Sequence, residues 1–94
     1  MYNIGMEFEY DKNKSELNKL KHGVSFEDAK VLWVFDNIVL PAITKDEIRN
    51  MIIGKIGNEL YSCIFTMRGQ RARMISCRRS RENERRLYCE TIEK

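Results

Sequence analysis

A chain of 94 residues with 17 Lys and Arg against 14 Asp and Glu reads as a single domain over 1–94. At this length about 60 to 65% of the unfolded surface can be buried, which leaves nothing for a second core. Three cysteines without a CxxC pair exclude a zinc ribbon or a disulfide framework and read as buried free thiols of a reducing cytosol. The N-terminal MYNIGMEFEYD has neither a basic start nor an apolar core, and no run approaches the roughly 18 apolar residues that span a bilayer, so the chain reads as cytoplasmic without a membrane partner.

Glu7 to Tyr10 alternates acid and aromatic, the mark of a short strand with Phe8 and Tyr10 on its buried side. Asn13 as N-cap with Glu16 three residues on predicts a first helix, with Leu17 and Leu20 as its apolar stripe and Gly23 in the left-handed position after the last turn. Ser25 with Asp28 repeats the capping pattern and predicts a second helix to about Trp33, whose stripe of Phe26, Ala29, Leu32 and Trp33 faces the core.

From residue 37 the period drops to two. Four apolar or alternating runs, Ile38 to Ile43, Ile48 to Ile53, Leu60 to Met67 and Ala72 to Arg78, predict an antiparallel sheet. Its hairpin connections fall at Thr44 to Glu47, Gly54 to Glu59 and Arg68 to Arg71. Pro41 lacks an amide hydrogen and belongs on an edge strand. Ser80 reads as the N-cap of a last helix, with Glu82 and Glu84 at its positive end and a pattern continuing through Leu87, Tyr88 and Ile92. The fold class is therefore α+β: two N-terminal helices, about four antiparallel strands with a possible short N-terminal strand, and a C-terminal helix.

Charge is lopsided. Residues 1 to 47 carry −3 and residues 48 to 94 carry +6, and Arg68 to Arg86 alone hold eight arginines against Glu82 and Glu84. Arginine's planar, permanently charged fork suits bidentate phosphate contact, so the partner is polyanionic, nucleic acid or phosphate. Arg73 on a strand, with Arg78 and Arg79 leading into a helix N-terminus, outlines an anion cradle. Alternation sends Arg71 and Arg73 to one face and Arg78 to the other unless a bulge intervenes. Arg71 and Arg86 read equally well as solvated surface charge. Arg81, Arg85 and Tyr88 share a helical face. Arg49 interrupts an apolar strand and is either an outward charge or a placed functional group.

His22 is the only histidine. Beside Lys21 at a helix end it suits a general acid or base; the plainer reading, which the residue taken alone favours, is that it complements the helix dipole. Tyr88 has two readings as well, a base-stacking or proton-donating phenol and a core aromatic. No nucleophile has a second histidine to activate it and the acids show no ligand spacing, so triads and metal sites are not expected. An RNA 2′-hydroxyl can still attack its own phosphate if a base takes its proton, arginines stabilise the anionic phosphorane, and an acid protonates the leaving 5′-oxygen.

The segments FEYDKNKSELNKLKHGVSFEDA, EIRNMIIG and FTMRGQRARMISCRRSRENERRLY together resemble the BrnT family of bacterial toxins from Phe8 to Tyr88. The resemblance implies a RelE-like α+β domain that cleaves RNA and arrests translation and growth, with no cofactor. It also implies a BrnA-type ribbon-helix-helix antitoxin, a heterotetramer, and a complex that binds operator DNA. The family's polar motif positions fall here on Lys21, His22, Arg49, Arg68, Arg73, Arg78, Arg79, Glu84, Arg85 and Tyr88. On that basis the expected catalytic set is His22 for proton transfer, Arg73, Arg78 and Arg79 for phosphate, and Arg85 and Tyr88 to complete the pocket. Lys21, Arg49, Arg68, Arg71 and Arg81 are expected to contact RNA. Tyr10 and Cys77 depart from the family pattern, and the preceding MYNIG leaves Met1 and Met6 as alternative starts. The rival expectation is a basic face that binds nucleic acid or a protein partner without turnover.

Overall fold

Helices start where an oxygen can satisfy the first free amides, and in the computed structural model, which describes residues 6–43 and 47–93, that oxygen is not always the expected one. The MYNIG extension and most of the Thr44 to Glu47 connection lie outside the described residues. The first helix, α1 (Lys12–His22), is capped by Asp11, whose carboxylate accepts from the amides of Asn13 and Lys14; Asn13 is already inside the helix. Gly23, with φ of 83°, closes it by donating a hydrogen bond from its amide to the Lys19 carbonyl, as expected for the one residue type that adopts this conformation without strain.

The Ser25 and Asp28 capping box opens α2 (Phe26–Ala29), again as the residues imply. The predicted continuation tightens instead into a 3₁₀ turn, Lys30–Trp33. Among the described residues there are thus three α-helices, the second of a single turn, the last being α3 (Glu82–Thr91). Its N-cap is Arg81 and not Ser80, because the Ser80 hydroxyl is buried and shared with Ser62.

Among the described residues the sheet has five strands: β1 (Glu7–Glu9), β2 (Asn37–Ile43), β3 (Ile48–Ile56), β4 (Glu59–Arg68) and β5 (Arg71–Arg79), in the spatial order β1-β5-β4-β3-β2. Strands β2 to β5 form the antiparallel meander expected, but β1 joins β5 in parallel, so the sheet is mixed. The two central hairpins are tighter than predicted. Gly57 and Gly69 take positive φ in turns of two residues, while Gly54 sits inside β3, where an added Cβ would meet the Asp36 carbonyl and a Leu32 methyl at 3.2 Å. Pro41 does lie on an edge strand, β2.

One sheet face carries the core: Val24, Phe26, Ala29 and Leu32 from the helical side pack on Ile52, Cys63, Phe65, Ala72, Met74 and Cys77. Trp33 meets Phe8 and Phe65 edge-on at 4.9 and 5.1 Å, so it is a packing residue. On the other face α3 lies against β2 and β3 and buries Tyr88. Cys63 and Cys77 are buried opposite one another, but Cys89 is exposed on α3, against expectation.

The apolar stripe assigned to α1 is overturned. Leu17 and Leu20 are 54% and 83% exposed, and the buried side chains of this helix are Ser15 and Asn18. The Asn18 amide donates to the carbonyls of Val24 and Cys77 and accepts from the Cys77 amide, and the Ser15 hydroxyl accepts from the Phe26 amide. Polar pairing to backbone groups that lack other partners decides which side of α1 faces inward, ahead of two leucines.

Candidate functional site

Strand β5 contains the bulge on which the arginine geometry depends. Phe65 pairs with Met74 and Ile64 with Ser76, so Ile75 is an extra residue, and two residues of β5 oppose one of β4. Met74 and Cys77 therefore both point into the core, and Arg73 and Arg78 both point away from it. Arg71, Arg73 and Arg78 share the outer face with their cross-strand neighbours Arg68, Thr66 and Ser62. Arg49 of β3 alternates to that face with Ile53. α3 covers β2 and β3 and reaches Ser62 and Arg78 through Glu84, so the remainder of the β4 and β5 half of this face is left with Arg68, Arg71 and Arg73 outward.

These arginines are held by acids. The Glu9 carboxylate takes Arg73 at 2.9 Å and Arg68 at 3.6 Å, and Glu7 takes Arg71 at 3.6 Å. Arg49 bonds Glu47 and Arg86 lies 3.8 Å from Glu82. Arg79 falls on the opposite side of β5 from Arg78, over the Tyr61 ring and paired with Glu59, so the expected cradle of Arg73, Arg78 and Arg79 is not formed as a set.

An anion cradle does exist, and a carboxylate of the chain fills it. Arg78 grips Glu84 through both terminal nitrogens at 2.8 and 2.9 Å, the Arg81 amide donates to the same carboxylate at 2.8 Å, and the Ser62 hydroxyl adds a further bond at 2.8 Å. The Arg78 guanidinium holds the Glu84 acid well below the usual range, at about 2, with the Arg81 amide and Ser62 assisting against the cost of burial. Sequence reasoning placed Glu84 as a helix-dipole acid and missed this role; its spacing three residues after Arg81 was the available signal. Arg85 donates to the Ser80 carbonyl at 2.7 Å. Among the described residues, Arg81 has no side-chain ion pair.

His22 and Lys21 line a cavity of about 220 Å³ between α1 and β5, with Lys14, Leu17, Asn18, Phe26, Ile75 and Ser76. No arginine lines it, but the bulge does: Ser76 stands in register between Arg73 and Arg78 on the outer face and also borders the His22 cavity. Tyr88 is 3% exposed and lines a different cavity with Val31, Phe35, Asp36, Lys55 and Glu93, where burial raises its phenol pKa. The structure does not bring it to the arginine face. Among the described residues no group of three His, Cys, Asp or Glu is placed to hold a metal ion, and no helix is long and apolar enough to cross a membrane.

The fold and site together define a small α+β domain with an arginine-bearing sheet face and a single histidine in a cavity between α1 and β5. Residues 10–84 match the family described as "Ribonuclease toxin, BrnT, of type II toxin-antitoxin system". The chain belongs to that family. It is thereby a member of a group of ribonuclease toxins that are countered by a protein antitoxin. A search of curated proteins finds no match.

Proposed function

We propose that this chain is an endoribonuclease that cuts RNA without a metal ion, by attack of a 2′-hydroxyl on the adjacent phosphate. The RNA backbone lies along the outer face of β4 and β5, contacting Arg68, Arg71 and Arg73, with Arg49, Arg81 and Lys21 at its margins. His22 moves the proton, and Arg73 and Arg78 stabilise the charge that builds on the phosphorane. Arg85 borders this site through its bond to Ser80, and Tyr88 acts only by anchoring α3. The observation that carries the reading is the bulge at Ile75, which turns Arg73 and Arg78 to one face and makes Ser76 a wall common to that face and the His22 cavity.

For Arg73 and Arg68, catalysis on this face means exchanging Glu9 for phosphate, one anion for another on the same guanidinium groups. Cleavage of this kind halts translation and growth, and the proposed antagonist is a BrnA-type ribbon-helix-helix antitoxin. The test is to incubate the purified chain with RNA in EDTA. Fragments ending in 2′,3′-cyclic phosphate are expected, and Arg73→Ala relieves growth arrest. Intact RNA at stoichiometric protein, or cleavage abolished by EDTA, overturns the mechanism.

A second reading, binding without turnover, is favoured by one fact: both terminal nitrogens of Arg78 are spent on Glu84. RNA binding that persists while no cleavage is seen selects it.

A further inference from the structure

Helix α1 shows water the side that helices of this size normally bury. Its four lysines and one glutamate surround Leu17 and Leu20, which are 54% and 83% exposed and adjacent at a spacing of three. Lys14 and Lys21 stand three before and four after Leu17, on one flank of this stripe. Neither lysine, nor His22, has an ion pair among the described residues, whereas Lys19 on the other flank is tied to Asp28 at 3.0 Å. Beside the stripe the groove toward β5 offers an apolar floor of Phe26 and Ile75.

Water-exposed leucines beside unneutralised cations and an apolar groove form a surface for a partner that brings both apolar anchors and negative charge. We propose that this groove is the docking site of an acidic, apolar-anchored segment of a partner protein. This rests on the family's dependence on a protein antitoxin and gives that antitoxin a place on this chain. Apolar side chains of the segment seat against Leu17, Leu20 and the groove floor, and its carboxylates face Lys14 and Lys21. RNA has no use for the two leucines, since phosphates take cations and bases take aromatic planes. A second copy of this chain is disfavoured by charge, because a two-fold contact on this stripe sets lysines against lysines with Glu16 as the one acid of the helix. A docked segment covers His22, which lines the same groove, and so withdraws the proposed proton carrier without competing for the arginines.

The experiment measures calorimetric Kd for the purified cognate antitoxin against the full chain and its Leu17→Glu, Leu20→Glu double variant. Roughly 100-fold weaker binding is expected, as for loss of central apolar anchors, with thermal unfolding unchanged; antitoxin-free RNA cleavage is compared in Leu20→Glu alone, since Leu20 lies outside the His22 cavity, and is expected unchanged there. If the double variant does not fold, Leu20→Glu alone replaces it, with about tenfold expected. Unchanged Kd in a folded variant overturns the proposal. So does impaired RNA cleavage with normal antitoxin binding, which assigns the stripe to RNA, and so does self-association of the wild-type chain that the variant alone abolishes. If the wild-type chain cleaves no RNA yet the variant still loses the antitoxin, the docking proposal holds and the nuclease mechanism falls.

Discussion

Replacing Glu84 by glutamine keeps the shape of a buried side chain and removes its charge. The carboxylate is 8% exposed and accepts from Arg78 twice, from the Arg81 amide and from Ser62. Its acid is lowered from the ordinary 4.5 to about 2. A shift of that size corresponds to about 3 kcal/mol of folding stability at neutral pH. The sign follows from the depression. The contribution is complete above the unfolded value of 4.5 and is lost as pH falls toward about 2; roughly half of it is gone by about pH 3.

Glu84→Gln has no such titration, so the wild-type advantage should shrink as pH falls. Urea unfolding followed by circular dichroism at several pH values measures it. At pH 7 the variant is expected to lose about 3 kcal/mol, which for a domain of this length lowers Tm by roughly 12 to 20 °C. Near about pH 3 the gap should narrow to about 1.5 kcal/mol. A variant within about 0.5 kcal/mol of wild type at pH 7, or a gap that does not change with pH, refutes the argument that Arg78 and Glu84 pin α3 to the sheet through charge.

Asn18→Ala strands both backbone groups of Cys77 and the Val24 carbonyl and is expected to cost about 3 kcal/mol by urea denaturation, while Leu20→Ala, two positions along on the other side of the helix and 83% exposed, should change stability by less than about 0.5 kcal/mol. Gly54→Ala pushes a methyl against the Asp36 carbonyl at 3.2 Å and should cost about 1 to 3 kcal/mol in the same assay. His22→Gln should lower RNA cleavage by about 100-fold or more and leave binding of a 2′-deoxy substrate analogue unchanged; cleavage at the wild-type rate would remove His22 from the mechanism. Glu9→Gln, which frees Arg73 and Arg68, should tighten RNA binding and steepen its salt dependence.

Much of the fold is written in short-range signals, and so are the residue types of the proposed site. The capping box at Ser25, the stop at Gly23 and the edge position of Pro41 each depend on a few neighbouring residues, and each stands where it was expected. The arginine cluster and the lone His22 were equally visible. The errors were local competitions with near-equal alternatives. Asp11 and Arg81 cap in place of Asn13 and Ser80 because backbone direction selects among adjacent candidates, and Ser80 is drawn away by Ser62 from another strand.

By itself the sequence settled the element types, the period of each strand and the concentration of positive charge, because those properties are set by side chains within one or two turns of one another. Tertiary structure alone decided the parallel seat of β1, the inward turn of Ser15 and Asn18 over Leu17 and Leu20, and the capture of Arg78 by Glu84. It also decided the bulge that brings Arg73 and Arg78 to one face. Each of those outcomes satisfies a backbone or charged group through a partner on another element, 59 residues away in the case of Asn18 and Cys77. Such pairings are made only when the chain closes on itself, and no pattern of spacing along it can state them in advance.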